Sequence, residues 1–203
     1  MDKSKEYDAV AELAVMQKTA DALKANGINT IIVANAEGAK IEASKLIPEG
    51  SSVMTMTSET LRTLGLTAQF DESGKYKSVR GELATAEGAR KRELGAAPDF
   101  TIGSVHAVTA DGKVIIASNT GSQLAAYVYG AAKVVWVVGG QKLVSNLEEG
   151  MQRIYDYVLP LESVRAHEAY GVEGSNVSKL LIVNKEVDPE RINLIIVQEK
   201  LGF

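Results

Sequence analysis

The sequence predicts an α/β fold: a parallel-rich sheet with helices on both faces and an added β-hairpin. Three observations point to it. Apolar, β-branched runs at residues 30–34, 52–56 and 134–138 alternate with stretches of helical periodicity, the pattern of βα units around a parallel sheet. The run Val134-Val135-Trp136-Val137-Val138 has no polar interruption, which fits a strand buried on both faces. Asp111-Gly112 separates the apolar stretches 100–109 and 113–117, a strong hairpin signal.

The elements follow in order. Residues 5–26 place Val10, Leu13, Ala14, Ala20 and Leu23 at helical spacing, with Gly27 as the stop. The strand at 30–34 leads into a helix at 36–46, which ends before Pro48-Glu49-Gly50. The strand at 52–56 leads into a short helix at 59–64, capped by Thr57 or Ser58 and ended by Gly65. Residues 67–79 hold few apolar side chains and read as an exposed excursion; 81–94 reads as one polar helix. After the hairpin, 124–129 is helical and 134–138 is the central strand. Ser145-Asn146-Leu147-Glu148 is a capping-box pattern for a helix to about residue 158, which Pro160 interrupts before a further helix at 161–170. Strands at 179–183 and 194–197 close the chain. The expectation is a single domain over 1–203, with the helix of residues 1–27 packed on or leading into it.

Composition narrows the function. Of the 203 residues 45% are hydrophobic, enough for one sizeable core. The net charge of −4 and the lack of a basic tract beyond Arg90-Lys91-Arg92 argue against a nucleic-acid partner. The absence of cysteine removes thiol catalysis and any Cys-ligated iron–sulfur cluster or zinc site in this chain. No apolar run reaches the roughly 20 residues that span a bilayer, and residues 1–6 lack a signal-peptide core. The expectation is a soluble, cytoplasmic chain with no membrane partner.

The richest polar loop is Ser118-Asn119-Thr120-Gly121-Ser122-Gln123, between an apolar strand and a helix. Backbone N–H groups at such a helix start attract a phosphate or carboxylate. Gly121 permits close approach, and Asn119, Thr120, Ser122 and Gln123 offer donors and acceptors; an ordinary capped helix start is the plain alternative. Thr57 and Ser58 leave the 52–56 strand at the edge where ligands bind in open α/β sheets, or simply cap a helix. In Gly103-Ser104-Val105-His106, His106 is a candidate acid, base or anion donor and equally a structural strand residue, whereas His167 reads as a surface side chain. Two isolated histidines give no metal site. Lys142, in Gly139-Gly140-Gln141-Lys142, either pairs with an anionic ligand or is a solvated lysine. There is no Walker phosphate loop, GxGxxG fingerprint or GxSxG elbow, so the residues alone lead to an anion-binding α/β domain with no marked nucleophile.

The segment GSVHAVTADGKVIIASNTGSQLAAYVYGAAKVVWVVGGQKLV (103–144) resembles the LUD, or lactate-utilisation protein, family. So do EEGMQRIYDYVLPLES (148–163), LIPEGSSVMTMTSETLRTLG (46–65) and the C-terminal SKLLIVNKEVDPERINLIIVQEKLGF. The resemblance implies a fold of the NagB/RpiA/CoA-transferase group, with ligand sites in loops at strand ends. The matching positions are Thr57, Ser58, Gly103, Ser104 and the stretch Asn119 to Gln123. It implies a small-molecule-binding component of a bacterial system oxidising L-lactate to pyruvate beside iron–sulfur partner subunits. Some members carry a Cys-rich ferredoxin-like extension; this cysteine-free chain has none, so its cofactors would lie in other subunits. The resemblance extends to homodimers, for which the sequence marks no interface. The glutamate nucleophile of CoA transferases has no counterpart here. The competing expectation is a free-standing enzyme or sensor for a phosphorylated or carboxylated metabolite, with no redox partner.

Overall fold

A computed structural model describes residues 4–203. Helices α1 (Ser4–Tyr7) and α2 (Leu13–Ala25) lead to strand β1 (Asn29–Val33), followed by α3 (Ala36–Leu46), β2 (Ser52–Thr55), α4 (Glu59–Leu64) and α5 (Leu66–Asp71). Next come β3 (Lys77–Ser78), α6 (Val79–Thr85), α7 (Gly88–Ala96), β4 (Phe100–Gly103), β5 (Ala107–Thr109) and β6 (Val114–Ser118). A wide π-type turn at Ala126–Gly130 precedes β7 (Lys133–Gly139), a tight turn at Gly140–Lys142 and β8 (Leu143–Val144). Helix α8 (Leu147–Arg153) runs through a second π-type turn, Ile154–Val158, into α9 (Leu159–Tyr170); β9 (Lys179–Val183) and β10 (Ile192–Val197) finish the fold.

Six strands form an all-parallel sheet in the order β1-β10-β7-β4-β2-β3. β7 lies inside it, with Val134 to Val138 all buried. Its side chains alternate between two apolar layers. Val134, Trp136 and Val138 face a cluster containing Met16, Ala20 and Leu23 of α2. Val135 and Val137 face one containing Ala39, Ala43, Leu61, Leu64 and Phe70 of α3 to α5. The predicted hairpin is present as β5 and β6, and β8 and β9 widen it into a second sheet, β8-β5-β6-β9. Val108, Val114 and Ile116 of this sheet pack in the same cluster as Trp136 and α2. One face of the main sheet is therefore covered by α3 to α5, the other by α2, α6 and the smaller sheet.

Several local expectations need correcting. The first helix is broken: residues 8–12 leave helical geometry because Ala11 N–H donates to Gly140 O at 3.3 Å and Asp8 is held by Lys200 at 2.6 Å and by the Tyr157 hydroxyl. Residues 1–3 of that expected helix lie outside the described residues. The stretch 67–79 is an exposed excursion only in part: residues 72–75 are exposed, whereas Phe70, one helical turn from the buried Leu66 in α5, and Val79 are buried. The polar helix at 81–94 is two helices: Ser78 caps the first by accepting from Gly81 N–H, and the chain turns extended at Ala86 and Glu87. The strand expected across 100–109 breaks at residues 104–106, where the chain crosses from one sheet to the other. Asn146, not Ser145, caps α8, accepting from Glu149 N–H while the Glu149 carboxylate accepts from Ser145 N–H. The box is real and shifted by one residue. Pro160 sits in the first turn of α9, directly after the π-type turn, so the helical path continues past it.

Candidate functional site

The main sheet reverses its winding between β2 and β4. The chain leaving β2 proceeds to β3 on one side, whereas β4 pairs with β7 on the other. Loops that part in this way leave a crevice at the C-terminal ends of the strands. A cleft of about 400 Å³ opens there, lined by residues 56–60 after β2, 104–106 after β4 and Lys142 after β7. The loop after β6, α9 and residues 172–177 form its outer walls. Its size suits a small metabolite.

Lys142 is placed by the turn that precedes it. A Cβ on Gly139 would lie 2.6 Å from Leu201 N and 2.9 Å from Glu199 O, so only glycine lets the C-terminal segment come this close. Gln141 fixes that segment, its amide donating to Leu201 O at 3.0 Å and its carbonyl accepting from Leu201 N–H at 3.3 Å. The lysine is thereby turned inward and is 3% exposed. Its Nζ lies 3.1 Å from Thr60 Oγ1 and 3.2 Å from Ser104 Oγ. No carboxylate pairs with it among the described residues: Glu59 pairs with Arg62, and Glu162 takes Arg165 bidentately at 2.6 and 2.7 Å. Burial, reinforced by the Arg153 charge, pulls the amine well below the usual lysine range.

His106 forms the adjoining wall. Its Nδ1 accepts from Ala117 N–H at 3.1 Å, which places the ring proton on Nε2. Burial first, then the Lys142 and Arg153 charges, push its pKa down to about 3. The ring is therefore neutral at physiological pH and offers one N–H. Behind it, Arg153 is fully buried, donates to His106 O at 2.6 Å and stacks 5.1 Å over the Tyr157 ring. Its Nε and Nη2 have no hydrogen-bond partner among the described residues, and burial lowers its pKa to about 10.

The other sequence-derived candidates divide. Thr57, Ser58, Ser104, Asn119, Thr120, Ser122 and Gln123 line the cleft together with His106 and Lys142. Ser58 also caps α4, accepting from Leu61 N–H at 3.3 Å, and Thr57 accepts from Arg80 at 3.1 Å. Gly103 and Gly121 do not line it. A Cβ on Gly103 would fall 1.8 Å from the Tyr127 hydroxyl, and Gly121 packs against the Lys179 stem. The polar loop is largely bonded to itself: Ser118 Oγ accepts from Gly121 N–H, Thr120 Oγ1 accepts from Ser122 N–H, and Gln123 donates to Ala117 O. Thr60 is the residue that sequence reasoning passed over. A threonine in the first turn of a short helix looks like surface, and only its partner 82 positions away identifies it. His167 is exposed, as expected. Among the described residues no group of His, Cys, Asp or Glu side chains could hold a metal ion, and no helix is long and apolar enough to cross a membrane.

The architecture recurs in a crystal structure of a DUF162 family protein from Deinococcus radiodurans, solved at 1.70 Å. It is 14% identical, covers 93% of this chain and 99% of its own, and superposes with a TM-score of 0.58, a likeness of fold. No curated protein matches the chain. A family model, the LUD domain, matches residues 16–197. That span runs from α2 to the end of β10 and takes in every cleft-lining strand end, so the chain belongs to the LUD domain family.

Proposed function

We propose that the chain binds a small organic acid in this cleft and serves a system that oxidises L-lactate to pyruvate, beside iron–sulfur partner subunits. The observation that carries the reading is the buried, carboxylate-free amine of Lys142. An ammonium has three N–H groups; Thr60 and Ser104 supply oxygens for two. A ligand carboxylate would supply the third acceptor and the missing negative charge. Because burial disfavours the charged amine, a carboxylate that restores the charge would draw a proton in with it. The hydroxyls and amides of Thr57, Ser58, Asn119, Thr120, Ser122 and Gln123 suit the oxygens of a hydroxy or keto acid. Membership in the LUD family supports the lactate setting.

Thermal unfolding with L-lactate, pyruvate and inorganic phosphate tests the binding step. A ligand present at 100 times its Kd adds about 2.7 kcal/mol of stability. That gain is expected for the parent chain and absent in Lys142→Met. Calorimetry in buffers of different ionisation enthalpy should register proton uptake. No shift with any of the three acids defeats the binding reading; normal growth on lactate after gene deletion defeats the metabolic one.

A further inference from the structure

We propose that Ser104 and Lys142 form a nucleophile–base pair that cleaves esters of short, polar carboxylic acids. The inference rests on the cleft being the ligand site proposed above.

It follows from where each proton must sit. Thr60 Oγ1 lies 3.1 Å from Leu201 O, and a carbonyl only accepts, so the Thr60 proton points there. Thr60 Oγ1 then has only acceptor capacity left for Lys142 Nζ, 3.1 Å away, and the amine must donate to it. A neutral amine has one lone pair remaining. Ser104 Oγ, 3.2 Å from Nζ, has no other hydrogen-bond partner among the described residues and can direct its proton at that lone pair. The chain Ser104 to Lys142 to Thr60 to Leu201 O thus runs in one direction and ends on a carbonyl. An ammonium and a neutral amine each leave one N–H without a protein acceptor, but only the neutral form has a lone pair for the Ser104 proton, and it adds no uncompensated charge to a buried site. Burial acts in the same sense on the amine. Ser104 is partly exposed and lines the cleft, while Thr60 is 1% exposed, so the serine is the hydroxyl a substrate can reach.

The reaction then balances with water as co-reactant. Ser104 Oγ attacks the ester carbonyl carbon as its proton passes to Lys142 Nζ, and the carbonyl electrons move onto oxygen. Collapse breaks the carbon–alkoxy bond, and Nζ returns the proton to the leaving alcohol. Water then attacks the acyl-serine carbon, gives one proton to Nζ, and the Ser104 Oγ bond breaks, recovering that proton. The products are an alcohol and a carboxylic acid. The Nε2–H of His106, two residues from Ser104 on the same wall, is a side-chain donor for the carbonyl oxygen. A neutral ester suits this cleft better than a phosphate, because Arg165 is already neutralised by Glu162.

The test is to treat the intact chain with a fluorophosphonate, map the modified residue by mass spectrometry, and follow hydrolysis of 4-nitrophenyl glycolate. The label is expected on Ser104. Its rate should rise with pH and level off well below the ordinary lysine value of 10.5, a readout that needs no mutation. Ser104→Ala should abolish labelling and turnover, and Lys142→Met should slow both by at least about a hundredfold, the usual scale of general-base catalysis. No label, a label on Lys142 or elsewhere, or an unchanged rate in Lys142→Met overturns the pair. If Ser104→Ala still shows the lactate-induced thermal shift while the parent chain takes no label, the pair fails and acid binding stands. Labelling without any acid-induced shift has the reverse meaning.

Discussion

Two turns at the C-terminal ends of strands border the same cleft and could hardly differ more. Residues 118–123 follow β6 and carry five polar side chains in six positions. Asn119, Thr120 and Ser122 are exposed and the others half-buried, and their side-chain hydrogen bonds run to neighbours within a few residues, apart from Asn119 with Ser178. Residues 139–142 follow β7, begin with two glycines and offer only a glutamine and a lysine. Both are buried, and their partners lie 38 to 82 positions away. A loop rich in polar groups satisfies itself locally. A poorer loop, pressed against distant chain, holds a polar group that only a ligand or a distant residue can complete. The second condition makes a reactive site, because a buried polar group is costly unless it is paired.

The largest test of this contrast is a matched pair of glycine substitutions. In Gly139→Ala the new Cβ meets the Gln141 side-chain oxygen and, at 2.6 to 2.9 Å, backbone atoms of Leu201 and Glu199 that no side-chain movement relieves. Overpacking of this kind costs about 3 kcal/mol. In Gly121→Ala the Cβ meets the Lys179 stem, which can swing aside, and the remaining penalty is the backbone angle of +83°. That costs about 1 kcal/mol. Urea denaturation of both variants should separate them by about 2 kcal/mol. Equal losses would mean that the two turns are equally tightly held.

A smaller effect isolates His106. Its folded pKa is about 3 against an ordinary 6.5. The folded state therefore refuses a proton that the unfolded chain accepts. Stability contributed by the neutral ring is complete above pH 6.5 and is lost as pH falls from 6.5 toward 3. At pH 5 the loss is about 2 kcal/mol relative to pH 7.5. Lys142 acts in the same sense over a window beginning at 10.5, so the quantity to measure is the difference between the parent and His106→Gln. The glutamine variant should be less sensitive to acid by that amount. Parallel pH profiles would place the imidazole in contact with solvent and remove it from the cleft wall.

What the sequence reveals follows the same division. Helix starts, stops and the hairpin are local physics. Helix 36–46 coincides with α3, Ser58 caps α4 as one of two residues expected to, and Asp111-Gly112 turns between β5 and β6. The unbroken apolar run at 134–138 proved central because a strand flanked by strands and covered on both faces has no use for polar side chains. Failures arose where distant chain intervenes. Residues 8–12 are pulled straight by Gly140 and Lys200, and the strand at 100–109 is cut by a change of sheet. The site shows the same limit. His106, Lys142 and the polar loop were visible as residues with chemistry, yet nothing in their spacing joins Thr60, Ser104 and Lys142. That triangle exists because β2, β4 and β7 are aligned in one sheet and their C-terminal ends come out together.

The smallest predicted effect bears most directly on which turn matters. Thr120 is exposed; it donates to Ser122 Oγ at 3.0 Å and accepts from Ser122 N–H at 3.3 Å. Water can replace both partners, so Thr120→Ala should change stability by no more than about 0.5 kcal/mol. If the buried amine carries binding, the same variant should keep its thermal shift with lactate or pyruvate. Ser122→Ala, which removes the other end of the same hydrogen bond, should behave alike. A variant that keeps its stability and loses its acid-induced shift would move the ligand outward, from the amine after β7 to the loop after β6. The contrast between the turns would then invert: self-satisfaction in the empty loop would be a resting arrangement that an arriving carboxylate exchanges for its own oxygens.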